Sequence, residues 1–125
     1  MRCQLPERVD ILAGDAPCQP YSPLQKTSVK DPRNHPLFKV LLGESGSLAS
    51  ICKQVLASYV ITENVPQIGF NYPGELFSAK DEFKERMFNI RNEDECIHYT
   101  EVYDAVLDVK DFVEGKRPRR LHATP

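Results

Sequence analysis

The sequence predicts a small single α+β domain: two or three helices packed on a short sheet, with an irregular proline-rich N-terminal arm. Three observations carry that prediction. One apolar run keeps helical spacing, a second run alternates with period two, and the prolines crowd the start of the chain. At 125 residues, 41% hydrophobic and 27% charged, the chain has the size of one domain. It can bury roughly two-thirds of the surface it exposes when unfolded.

Composition divides the chain in three. Residues 1–36 hold six of the ten prolines and read as the irregular arm. Residues 37–115 hold only Pro66 and Pro73 and read as the α+β core, and residues 116–125 read as a basic flexible tail. In the arm, Pro17, Pro20 and Pro23 recur at every third position, a spacing that suits polyproline II, although an extended linker is the plainer reading. Val9, Ile11, Leu12 and Leu24 are its apolar residues available to pack on a neighbour.

In the core, Leu37–Leu42 reads as a buried strand or a short helical turn, and Gly43-Glu44-Ser45-Gly46 breaks the chain. Leu48, Ile51, Cys52, Val55, Leu56, Tyr59 and Val60 follow the spacing of one helical face. Ser47 is the expected N-cap of that helix and Asn64 its stop. Ile68, Phe70 and Tyr72 then alternate with Gln67, Gly69 and Asn71, which predicts a strand over 66–72. Tyr72-Pro73-Gly74-Glu75 fits a type II turn, with glycine supplying the positive φ. Ser78-Ala79-Lys80-Asp81 resembles a capping box with aspartate in the glutamate position. It opens a helix with Phe83, Met87 and Ile90 inside, Glu82 and Arg86 paired outside, and Asn92 as its end. The last element reads two ways. Cys96–Tyr103 is rich in strand formers, whereas Val102, Val106, Val109 and Val113 recur at helical steps before Gly115. The reading adopted is an extended piece near 95–99 and a helix over 101–114, capped by Thr100.

No motif names an activity. There is no glycine-rich nucleotide loop, no Gly-x-Ser-x-Gly elbow and no His-Glu-x-x-His pair. The formal charge of −2 is too small to require nucleic acid or membrane as a partner. Without an N-terminal apolar run or a stretch of ~20 apolar residues, the expected place is the cytoplasm, or the nucleus in a eukaryotic or viral setting, with no membrane.

Charge patterning is the strongest remaining signal. Residues 75–115 carry twelve acidic and five basic side chains. On the expected last helix Glu101, Asp104, Asp108 and Asp111 would line one face, with Glu93, Asp94 and Glu95 beside it and Tyr99 and Tyr103 as aromatic anchors. That pattern predicts a non-catalytic interaction module, an adaptor or inhibitor that docks a basic protein surface, with no cofactor. A homodimer is left open.

Two other classes remain. Cys96 and His98 stand two apart and suggest a small enzyme or zinc-dependent protein, but no Cys-x-x-Cys or His-x-x-x-His pair anchors a metal site. Cys96 is flanked by acids, a setting that disfavours a thiolate, and Cys18 has no acid–base neighbour in sequence, although His35 could approach in space. Lys116, Arg117, Arg119 and Arg120 in the tail suggest a salt-sensitive phosphate contact, and so a nucleic-acid-associated protein.

Overall fold

Val60-Ile61-Thr62 is a β-branched run, stiff at χ1 and suited to a pleated surface, and it forms the middle of the sheet. The structure is a computed structural model. It describes residues 8–22, 30–108 and 118–124, and of 108 and 118–124 the backbone alone. Four strands, β1 (Ile11–Ala13), β2 (Tyr59–Asn64), β3 (Tyr103–Asp108) and β4 (Pro118–Thr124), lie in the order β1-β2-β4-β3. β1 runs parallel to β2, with Leu12 opposite Val60. β4 is antiparallel to both β2 and β3.

A parallel pair needs a crossover connection, and α1 (Lys39–Leu42) and α2 (Leu48–Val55) supply it. Ser47 caps α2 by accepting the Ser50 N–H at 3.1 Å. Leu56, left-handed at φ 48°, ends it. After β2, Pro66–Gly69 makes one turn of 3-10 helix. Tyr72–Glu75 closes as expected, with Gly74 at φ +76° and the Glu75 N–H donating to Tyr72 O. α3 (Ala79–Phe88) opens with the expected capping box: Asp81 N–H donates to Ser78 Oγ, and Ser78 N–H donates to Asp81 Oδ2.

One face of the sheet is covered. Val60, Thr62 and Asn64 are buried on it, in one core with Cys52 and Val55 of α2 and Phe83 and Met87 of α3. The other face is apolar and open: Ile11, Tyr59, Ile61 and Tyr103 are exposed there. The chain is therefore a small α+β domain of three helices on a short sheet, with the expected inner residues Cys52, Phe83, Met87 and Ile90 all buried.

Several elements differ from expectation, each for a tertiary reason. The helix read over 48–63 stops at Val55, because Tyr59–Asn64 pairs with two strands distant in sequence. The helical spacing of Tyr59 and Val60 is coincidental. Of the two readings of Leu37–Leu42, the short helical turn is the one found: Lys39–Leu42 is α1, and Leu42 O and Gly43 O at its end accept from Arg86 at 2.5 and 3.3 Å. Arg86 thus points inward to satisfy a helix end rather than pairing with Glu82 outside. The strand expected over 66–72 is the 3-10 turn and loop, with Phe70 on the outside. The extended piece near 95–99 is a single bridge, Arg91 to Ile97.

The helix expected over 101–114 is corrected over Tyr103–Asp108, which is β3, paired with β4; Val109, Val113 and the rest of 109–114 lie outside the described residues. The tail expected to be flexible supplies β4, and the arm expected to be irregular supplies β1. Both segments are too short to announce themselves and are held by hydrogen bonds to β2 and its neighbours. Leu24 and Pro23 of the arm lie outside the described residues.

Burial makes this core sensitive to alkali. Desolvation pushes the Cys52 thiol up to about 12 and raises the phenols of Tyr21, Tyr72 and Tyr99 above the usual range, with Glu82 adding to the effect at Tyr21 and Tyr72. A group raised on folding gives its full contribution below its unfolded pKa and loses it as pH climbs through the folded value. For Cys52 that window runs from about 9 to about 12. Denaturation midpoints are therefore expected to hold from neutral pH to about 9 and fall beyond it, and a flat profile to about 11 would contradict this burial.

Candidate functional site

The carboxyl ends of β1 and β2 lie side by side, and the loops that leave them are stitched together. Asp15 Oδ1 accepts the Glu63 N–H at 3.2 Å, and Asn64 Nδ2 donates to Ala16 O at 3.3 Å. Asn64 is only 4% exposed, and its Oδ1 also accepts the Val65 N–H at 2.8 Å. One buried amide therefore fixes both loops.

Two residues past Ala16 stands Cys18, half-buried against the core. Its carbonyl accepts from the N–H groups of Tyr21 and Ser22, each at 2.9 Å, which closes a tight turn around the thiol-bearing residue. Aromatic rings anchor that turn from the far side. Tyr21 meets Phe38, Phe38 meets Tyr72 and Tyr72 meets Phe77, all edge to face, at 6.4, 6.1 and 5.4 Å. The Arg33 guanidinium covers the Tyr72 ring at 4.5 Å and is itself held by Asp31, whose carboxyl it keeps below the usual range.

In open sheets with parallel strands, ligands bind outside the carboxyl ends of those strands. Here that position holds the loop Asp15–Ala16, tied to Glu63 and Asn64, and Cys18 stands two residues further along the same loop. In β4, Arg120 is in register with Asn64, and Arg119 with Leu107. Two of the four tail cations thus belong to strands next to this end of β2. Lys116 and Arg117 lie outside the described residues.

The acidic residues fare differently. Asp104, expected on a helical docking face, lies on β3 with its carboxylate 3.0 Å from Lys80 Nζ and 3.9 Å from Lys84 Nζ of α3. It ties the sheet to a helix. Tyr99 is fully buried and donates its hydroxyl to Ala57 O at 2.6 Å, so it anchors the core and no partner. Tyr103 is exposed and donates to Glu101 at 2.7 Å. Glu93, Asp94 and Glu95 are exposed on a turn organised by Asn92. Asp108 ends β3, paired with Pro118, and Asp111 lies outside the described residues. Among the described residues, Asp104 faces Lys80 and Lys84 while Glu93, Asp94 and Glu95 stand on a separate turn.

Cys96 and His98 do not converge either. Cys96 is exposed and directs its thiol to Asp94 O at 3.6 Å, while His98 Nε2 bonds Ala57 O at 2.9 Å. Since a carbonyl only accepts, that nitrogen carries the proton and has no lone pair for a metal. Among the described residues no group of three His, Cys, Asp or Glu side chains is placed to hold a metal ion, and no helix is long and apolar enough to cross a membrane.

Sequence reasoning missed Cys18 with Glu63 and Asn64, which stand 45 and 46 positions away. The available signal was that Gly14-Asp15-Ala16-Pro17 and Glu63-Asn64-Val65-Pro66 both follow short apolar runs and both carry loop-forming residues, as the ends of two strands do.

Compared with protein families and with curated proteins, the sequence matches none. Among solved structures, the fold is similar to that of the Entamoeba histolytica methyltransferase EhMeth, with a TM-score of 0.57 and 17% identity over 92% of this chain. The chain covers 31% of that protein, about a third of its length, and shares its fold over that part.

Proposed function

We propose that this chain carries the thiol-bearing part of a nucleic-acid base methyltransferase, with Cys18 as nucleophile. The observation that supports it is the placement of Cys18 on a closed turn, two residues past a loop that Glu63 and Asn64 tie to the carboxyl end of β2. The fold shared with EhMeth points the same way.

Chemistry narrows the acceptor. An amine or hydroxyl is already nucleophilic and needs no thiol to be methylated. An electron-poor ring carbon does need one. The Cys18 thiolate adds to C6 of a pyrimidine, forming an S–C bond and pushing the C5–C6 electron pair through the ring towards N3. Glu63 is the carboxyl we assign to hydrogen-bond that nitrogen. C5, now nucleophilic, takes a methyl group from an electrophilic donor. Loss of the C5 proton to a base then restores the double bond and expels the thiolate. The donor supplies the methyl group, and no residue of this chain is assigned to it. β4, which carries Arg119 and Arg120, pairs with β2, and the role the sequence offered to Cys96 passes to Cys18.

The test is a short DNA strand bearing 5-azacytosine, whose ring nitrogen at position 5 makes C6 more electrophilic. A covalent adduct in the intact mass, mapped to Cys18 by peptide analysis, is expected. No adduct, or one at Cys96, would overturn the reading. Docking of a basic protein has less support, since Tyr103–Asp108 of the expected helix is a strand and Asp104 is paired with two lysines. What it retains is the exposed run Glu93-Asp94-Glu95. Reversing those three charges is expected to leave adduct formation within about twofold, because exposed charges away from the site are screened within ~10 Å at ordinary salt. A large loss would move the site to that turn.

A further inference from the structure

Beside the Cys18 turn lies an open cleft of about 200 Å³, lined by Pro20 and Tyr21 on one side, Lys30 and Pro32 above, and Gln67, Phe70 and Asn71 on the other. Phe70 is 69% exposed, more than any other aromatic ring among the described residues. It is held out rigidly. The 3-10 turn before it is fixed by Phe70 N–H donating to Gln67 O at 2.9 Å, and Asn71 is bridged to Ser78 behind it. The ring is thus a platform on firm backbone.

Resting on the methyltransferase reading above, we propose that this cleft seats the DNA nucleotide next to the base under attack, stacked on Phe70. The cleft and the thiol share one wall, since Pro20 and Tyr21 belong to the turn that Cys18 closes. An enzyme working on a ring atom inside a strand must take the base out of its stack, which leaves the flanking base without a neighbour on one side. Phe70 replaces that neighbour. Stacking of a base on an aromatic ring is tolerant of sequence, while Gln67 and Asn71 offer amide donors and acceptors to a base edge and Lys30 offers charge to a phosphate.

The volume is below the ~300–1,000 Å³ of closed small-molecule pockets, which suits one base on an open seat. The prolines of the wall, Pro20 and Pro32, have no N–H to hold a 2′-hydroxyl, and this favours DNA over RNA.

The measurement is fluorescence anisotropy with a labelled single-stranded 15-mer carrying one 5-azacytosine, run with the full chain and with Phe70→Ala and Phe70→Trp. Phe70→Ala is expected to weaken binding about tenfold, in line with the usual value of a base–aromatic stack, and Phe70→Trp to keep it. The side chain is on the surface, so an unchanged circular-dichroism spectrum is expected for both. At saturating strand the Cys18 adduct should still form in Phe70→Ala, since the thiol is untouched. Unchanged binding in Phe70→Ala with a normal adduct would overturn the cleft and leave the methyltransferase reading standing. Absence of both binding and adduct in the parent chain would overturn both. Tighter binding of the matching RNA strand, equally lost in Phe70→Ala, would overturn the choice of DNA. Loss of self-association in Phe70→Ala, read by sedimentation with strand binding unchanged, would give the cleft to a second copy of the chain.

Discussion

Replacing Cys18 with serine is expected to abolish adduct formation with 5-azacytosine DNA, to below detection, while Cys52→Ala and Cys96→Ser leave it intact. The three described cysteines differ in what surrounds them. Cys52 is sealed in the core, and desolvation pushes its thiol up to about 12. At a pH near 8 its thiolate fraction is about one in ten thousand by the Henderson–Hasselbalch relation, and no strand can reach it. Cys96 is open to solvent but sits in the acidic turn 93–95, which repels a phosphate backbone. Cys18 alone among them joins partial exposure to a braced turn at the end of a parallel strand. Serine keeps the size and removes the nucleophile, because a hydroxyl is far less acidic than a thiol. Iodoacetamide supplies the control: in the folded parent chain it is expected to label Cys96 and Cys18 well before Cys52. Adduct formation that survives in Cys18→Ser would exclude this thiol from the chemistry.

Asn64→Ala should be the most damaging single change to the same region. The substitution leaves the Val65 N–H and the Ala16 carbonyl without the partners they now have, in a place from which water is shut out. Each such loss costs about 1–3 kcal/mol, so a total of roughly 2–6 kcal/mol is expected, out of the ~5–15 kcal/mol typical of a domain. Thermal melting should fall by roughly 10 °C. The site should respond separately from the fold. With one strap between the loops gone, the Cys18 turn gains freedom, so alkylation by a small reagent should speed up while adduct formation with DNA slows. A purely global destabilisation would instead speed the labelling of Cys52 along with that of Cys18, and that pattern would assign Asn64 no role in holding the thiol.

How much of this was legible beforehand follows the range of the interactions involved. The Ser47 cap, the Ser78–Asp81 capping box, the Tyr72–Glu75 turn and the inward set Phe83, Met87 and Ile90 were all readable, because each is settled within four or five residues by hydrogen bonds or by helical period. The strands were not. Tyr59–Asn64 carries residues that fit the end of a helix as well as the middle of a sheet, and pairing with Ile11–Ala13 and Pro118–Thr124 decides between them. The same holds for Tyr103–Asp108, whose valine spacing looks helical until β4 is laid beside it.

Once Tyr103–Asp108 joins a β-ladder, Asp104 turns to Lys80 and Lys84 on α3. The site was hidden for the same cause. The loop that leads to Cys18 gains its partners only when two parallel strands bring Asp15 and Ala16 against Glu63 and Asn64. By itself, then, the sequence determined the domain's size, its α+β class, its caps and turns and the inner face of α3. Those rest on local geometry and composition, which a chain carries wherever it folds. The tertiary structure decided the sheet order, the fate of the charged segments and the company Cys18 keeps. Each of these depends on backbone partners dozens of residues apart, and no short-range pattern encodes which partner is chosen.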